Sequence, residues 1–314
     1  MKTGHPISRV ASALAIILGA VSLTPTAGCR GPAPKPADEA FIRAEKQWRA
    51  ERLARLTAKD GWLTLVGLQW LQPGENTFGS DPANHVVLPG VAPHLGSFVL
   101  SAEGRVTLRA LPGADLTLDG RPVTEKVLRS DADGKPDVLH VGRLRCYVIR
   151  RGNRFAIRIK DPQSPVRTHF KGLDDYPIDP SYRVEATFEP FAKPEKVAVP
   201  TGVGISEEME APGLVHFTLA GRKLSLKPLV ESPGDTELFF IFRDATSGKE
   251  TYGAGRFLYA KAPQNGRLVL DFNRAYNPPC AFTPYATCPL PPEGNDLPLP
   301  IHAGEKAYRG GHGG

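Results

Sequence analysis

An all-β fold is what this sequence predicts: two packed regions, sandwich- or barrel-like, preceded by one amphipathic helix and closed by a long ordered loop. Three observations carry the prediction. From Trp62 onward, short runs rich in β-branched and aromatic residues are parted by Gly, Pro, Asn and Asp at regular intervals, the pattern of many short strands. A helical stripe shows in residues 38–57, before that change of period. Residues 271–306 hold eight prolines between Asn277 and Pro300, and a residue without N–H and with fixed φ suits neither a helix nor a central strand. The same segment carries Phe272, Tyr276, Phe282, Tyr285 and two cysteines, so it is not linker-like in composition. Loops of this kind are usually functional.

The chain opens MKTGHPISRVASALAIILGAVSLTPTAGC. Lys2 and Arg9 precede an apolar run too short to span a bilayer, so residues 1–28 read as an export signal. The small-small-Cys ending resembles the lipobox of bacterial lipoproteins, although Thr26 stands where that motif favours Leu. The resemblance implies that Cys29 is acylated and that a lipid bilayer is a partner. Arg30 after the cysteine would place the protein in the outer membrane of a Gram-negative envelope, on the periplasmic side. Residues 29–37 form a stiff Pro-rich spacer. The formal net charge is +6, and Lys2 and Arg9 belong to the signal. The remaining basic residues are spread along strands without a patch of interleaved aromatics, which argues against nucleic acid.

Residues 38–60 are expected to form the helix and its end. Asp38 is a candidate cap, Phe41, Trp48 and Leu56 make the apolar stripe, and Glu39–Arg43, Glu45–Arg49 and Glu51–Arg55 are spaced for i,i+4 pairs. Residues 61–160 follow as the first β region. Its stretch GENTFGSD…NHVVLP…GSFVL…VTL…LDGRPV, from Gly74 to Val123, resembles a forkhead-associated domain. That family reads phosphothreonine with an arginine after its first glycine and a Ser-Arg…His run. Here Ser80 follows Gly79 and Ala92-Pro93-His94-Leu95 stands near the second position, so the arginine is missing and the resemblance implies the sandwich without the phosphopeptide function. LRCYVIRRGN and RFAIRIKD read as a hairpin turning at Gly152-Asn153, with Cys146 a buried thiol and Arg154 and Arg158 on the wet face.

Residues 161–308 form the second β region, and 309–314 a tail. Its first part, residues 161–180, reads as a loop in which Arg167 and His169 are candidates to bind an anion. Strand-like runs then continue to LDFN, with Asn265-Gly266 as a hairpin turn between TYGAGRFLYA and GRLVLDFN. Gly253-Ala254-Gly255 lacks the third glycine and the following helix of a dinucleotide fingerprint. No P-loop, G-x-S-x-G or H-E-x-x-H occurs, and no cofactor is expected.

TYGAGRFLY, LDFNRAYNPPCAFTPYATCPLPP and AGEK together resemble the signature of a bacterial and archaeal domain-of-unknown-function family, number 1684, over about Ala50 to Tyr308. The resemblance implies an architecture and a motif but no activity, so the motif has to be read from its chemistry. Cys280 and Cys288 suit a disulfide in an exported chain. With His302 they also supply three ligands of a possible metal site, and two packed free thiols are the third reading. Asp271, His302 and Glu305 are the candidate acid–base residues. Arg256 is placed to neutralise Asp271 from the partner strand, and Asn273, Tyr276 and Asn277 complete a ligand-binding set around a pocket capped by residues 271–306. Two functions follow: a ligand-binding or structural β module of the cell envelope, or a hydrolase using those acid–base groups on a small or saccharide-like substrate. Whether the protein is an enzyme is open at this stage.

Overall fold

The computed structural model describes residues 1, 36–232 and 234–310. Residues 2–35, which hold most of the expected signal and the Cys29 anchor, and residues 311–314 of the tail lie outside the described residues. Among those described, no helix is long and apolar enough to cross a membrane.

The helix α1 (Pro36–Thr57) begins two residues before the expected cap. Its exposed face keeps Glu39–Arg43 at 3.8 Å and Glu51–Arg55 at 4.0 Å. The third expected pair is replaced. Glu45 is buried and takes Arg274 in a two-pronged ion pair at 2.7–3.0 Å, so this carboxylate ties the helix to the distant C-terminal motif. Such fork-to-fork pairing orients as well as binds.

Eleven strands then build a two-sheet sandwich: β1 (Leu65–Trp70), β2 (Gly74–Gly79), β3 (Val86–Val87), β4 (Gly96–Leu100), β5 (Val106–Ala110), β6 (Leu116–Leu118), β7 (Arg121–Pro122), β8 (Glu125–Leu128), β9 (Leu139–Val141), β10 (Leu144–Arg151) and β11 (Arg154–Lys160). One sheet runs β1-β11-β10-β9-β6-β7 and the other β3-β2-β4-β5-β8, antiparallel throughout except for β2 with β3. Strict alternation on β11 sends Phe155, Ile157 and Ile159 into the core with Phe78, Phe98, Leu108 and Val148. Phe78 and Phe98 stack at 4.6 Å between ring centres. The Gly152-Asn153 turn joins β10 to β11 as predicted, Arg151 opposite Arg154. Cys146 lies in this core, and burial pushes its thiol up to about 12. It is inert there.

The second region is organised by a long ribbon, β12 (Arg183–Pro200) paired with β13 (Ser206–Leu219). Its inner half lies between β14 (Arg222–Leu226) and β17 (Arg267–Asp271) in a four-stranded sheet. A register shift between Pro190 and Glu195 marks a bulge, where Pro190 and Pro194 interrupt the ladder. Beyond it the outer half of the ribbon bridges to Val230 and to Pro289 of the motif loop. A separate hairpin-like pair, β15 (Glu237–Phe242) with β16 (Arg256–Lys261), covers the four-stranded sheet through Phe240, Phe242 and Leu258. The predicted hairpin at Asn265-Gly266 is therefore corrected: the turn exists, with Asn265 at φ +52°, but β16 pairs with β15 and β17 with β12. Neither region closes into a barrel.

Candidate functional site

The motif loop keeps its shape by side-chain hydrogen bonds to backbone that the prolines leave unpaired. Asp271 accepts from the N–H of Asn273 at 3.1 Å and caps a single 3-10 turn, Phe272–Arg274. Asn273, wholly buried, clasps both main-chain groups of Asp179 at 2.9 Å. Asn277 donates from its side chain to Lys306 O at 2.7 Å, and its N–H donates to the Glu305 carboxylate at 2.8 Å. Glu305, almost fully buried, also takes the Arg52 guanidinium at 3.0 Å, and burial raises its pKa despite Arg52 and the Asn277 N–H. Gly304 has φ +77°, and a Cβ there would stand 2.2 Å from Ala275 O, so the motif's glycine is required by close backbone approach.

Arg256 holds residues 301–303 of the loop. It is fully buried, pairs with Asp244 at 2.7 Å, and donates to the carbonyls of Ile301 and Ala303. The expected Arg256–Asp271 pair is thus replaced, because β16 and β17 belong to different sheets. Asp271 faces Arg183 at 3.7 Å instead. Through these contacts Arg256 serves as a scaffold for the loop.

A cavity of about 690 Å³ opens where five parts meet: the C-terminal end of α1, the outer face of the sandwich, the outer half of β13, the β15–β16 pair, and residues 276–289 of the motif loop. Its size is that of a small-molecule site. Trp62, Phe239, Phe257, Tyr259 and Tyr276 give it aromatic walls. At one end the Tyr259 and Tyr276 rings are stacked, and the Tyr259 hydroxyl donates to Glu231 at 2.6 Å. Burial, first of all, holds both phenols above their ordinary pKa, so they stand as neutral donors. Arg52 lies over the Tyr276 ring at 4.6 Å. Lys160 and Thr287 also line it, as do Asp60, Glu207 and Glu208, and Arg158 donates to Thr287 from behind the wall at 3.2 Å.

Of the predicted ligand-binding residues, Tyr276 alone lines this cavity. Arg167 donates to the carbonyls of Thr57, Ala58 and Pro162, capping the end of α1, and His169 is exposed at the end of a four-residue helix, α2 (Pro165–Thr168). Asn273, Asn277 and Arg256 hold backbone, as above. The three acid–base candidates do not share a cleft. Asp271 caps its turn, Glu305 is sealed under α1, and His302 is exposed beside Glu250 at 3.5 Å. None of them lines the cavity. Nor do Cys280, Cys288 and His302 gather, and no group of three His, Cys, Asp or Glu among the described residues is placed to hold a metal.

The cysteines do belong to the site. They stand as two thiols, each sulfur accepting the other's backbone N–H, at 3.1 and 3.2 Å. The Cys288 hydrogen bond lowers the Cys280 thiol, and burial pushes Cys288 up. Cys288 faces the cavity. The residues that sequence reasoning missed are Arg52, Trp62, Arg158, Lys160, Glu231, Tyr259 and Thr287. Arg158 was assigned to a wet face, yet it is 2% exposed, because the second region packs over that face of β11. Only the tertiary arrangement reveals this.

Residues 168–306 match the family described as a protein of unknown function, DUF1684. A solution NMR structure of an uncharacterized protein of Haloarcula marismortui is also similar, with 34% identity over 45% of this chain and 78% of that one, at a TM-score of 0.39. The chain belongs to the DUF1684 family. The DUF1684 match begins at residue 168 and not near Ala50, so the helix and the sandwich lie outside it. No curated protein matches the chain.

Proposed function

We propose that this DUF1684 protein is a small-molecule-binding module of the cell envelope, tethered through acylated Cys29. The observation that carries the reading is the 690 Å³ cavity whose walls combine five aromatic residues with charged residues of both signs. Fixed charged and polar groups orient a ligand while the aromatic walls supply affinity for its apolar body. The motif loop caps the site with Tyr276, Pro279, Ala286, Thr287 and Cys288. The sandwich contributes a wall in this reading. Its forkhead-associated-like pattern then accounts for a fold and not for phosphopeptide recognition, since the sequence has no arginine at the family's phosphate position.

Native mass spectrometry of the full-length protein from its own cells, compared with Met209→Trp, tests the cavity. Met209 lines it, and a tryptophan there fills space. A small molecule on the wild type that is absent from the variant, at a similar melting temperature, supports the reading. A wild type without ligand, or equal occupancy of the two proteins, sinks it. For the tether, Cys29→Ser is expected to move the protein from the membrane fraction to the soluble one.

A further inference from the structure

β11 is a two-faced strand. Its odd-numbered side chains fill the sandwich core, while Arg158 and Lys160, two residues apart, share the opposite face. Lys160 lines the cavity, while Arg158 lies behind its wall and donates to the lining Thr287, with Trp62 and Tyr147 against both cations. Among the described residues neither cation has a carboxylate within ion-pair distance, although Asp60 and Glu207 line the same cavity. Arg52 has Glu305, Arg151 has Asp131 and Glu207, Arg256 has Asp244, and Arg274 has Glu45. Arg158, only 2% exposed, makes no ion pair among the described residues. Its Nη2 donates to Thr287 Oγ1 and its Nε has no partner. The Lys160 amine reaches only a main-chain oxygen, Asp60 O, at 2.6 Å.

One buried and one half-buried cation side by side, with no carboxylate in hydrogen-bond contact, are costly unless something compensates them. The strain shows in Lys160, whose pKa is lowered by burial and then by Arg158. Aromatic faces at 5.4–5.9 Å offer partial relief, for Arg158 over Trp62 and Tyr147 and for Lys160 over the same two rings. They do not replace an anion. We propose that Arg158 and Lys160 form an anion subsite of the cavity, and that its ligand is a small amphipathic molecule carrying a carboxylate or phosphate on an aromatic-sized apolar body. The anion takes the Lys160 amine and the Thr287 hydroxyl, with the Arg158 guanidinium behind them as the second positive charge. The apolar body lies along Phe239 and Phe257 toward the tyrosine pair. This assignment rests on the cavity being a binding site.

Calorimetric titration of the full-length protein with four probes of one size tests it: benzoate, phenylphosphate, benzyl alcohol and benzylamine. The anions are expected to bind at least about tenfold more tightly than the alcohol and the amine, the gain of one or more charge-assisted hydrogen bonds. Lys160→Gln is expected to weaken the anions about tenfold while leaving benzyl alcohol unchanged. Arg158→Gln is expected to do more, and should it not fold, Lys160→Gln carries the test alone. A phenylphosphate affinity about tenfold above that of benzoate marks a phosphomonoester ligand, and the reverse order a carboxylic acid. Benzyl alcohol binding as tightly as benzoate, or Lys160→Gln leaving benzoate unchanged, overturns the subsite and leaves the cavity reading standing. If none of the four binds, both are overturned.

Discussion

The sandwich and the motif loop are held together by opposite means. In the sandwich, Phe78, Phe98, Leu108, Val148 and Ile157 interdigitate between two sheets whose backbone groups satisfy one another across ladders. In the loop, few backbone groups can pair in that way. Asn273, Asn277, Asn295 and Arg256 reach out and bond main-chain atoms instead. A sandwich core tolerates a lost methylene at modest cost, whereas a loop built on buried polar contacts loses a partner and leaves a desolvated group behind. The lesson is that the proline-rich loop is the less forgiving part of the molecule.

The largest test of that contrast is Arg256→Leu. It strands the buried Asp244 carboxylate and the carbonyls of Ile301 and Ala303, and is expected to cost about 3–5 kcal/mol in denaturant unfolding. A loss under about 1 kcal/mol would mean that the loop does not depend on that arginine. Asn277→Ala, which abandons Lys306 O, should cost about 1–3 kcal/mol, against about 0.5–1.5 kcal/mol for Ile157→Val in the sandwich. Equal costs would erase the distinction.

The two regions should also answer acid with opposite signs. Asp137, in the sandwich, is held below the usual carboxylate range by Arg129 and Lys126, which outweigh its burial. A lowered folded-state pKa adds stability above the ordinary value of 3.8, and the contribution fades as pH falls through the folded value. Glu305, in the loop, is raised by burial. Its contribution is full below the ordinary 4.5 and is lost as pH rises through the raised value. Stability measured from pH 3 to pH 7 should therefore lose its acid limb in Asp137→Asn, and lose a component of the slope above about pH 4.5 in Glu305→Gln. The same slope in both variants would break the comparison. The smallest effect is expected at Glu39→Ala, whose exposed pair with Arg43 contributes about 0–0.5 kcal/mol.

Much of the sandwich was legible because its rules are local. Period-2 alternation places Phe155, Ile157 and Ile159 in the core from the sequence alone, and Gly152-Asn153 announces the turn between β10 and β11. The Asn265-Gly266 turn shows the limit, since a local signal specifies the reversal but not the sheet each strand joins. At the site, Tyr276 was legible as an aromatic in an ordered motif. Arg158 and Lys160 were not, because an arginine facing water and one facing a second β region have the same pattern along the strand. Glu45 differs for a related reason: i,i+4 spacing proposes a partner on the helix, whereas its buried carboxylate takes the half-exposed Arg274 of the distant motif.

The cavity has two owners. Tyr276, Thr287 and Cys288 come from the stretch that defines the family, whereas Arg52, Trp62, Arg151 and Lys160 come from segments that precede it. In the binding role proposed above, substitutions on the outer face of β11 exchange one ligand for another while the proline-rich loop, with its exacting hydrogen bonds, is left untouched. In such an arrangement the signature motif is the frame of a lock, and the removable wards are cut on a neighbouring sheet.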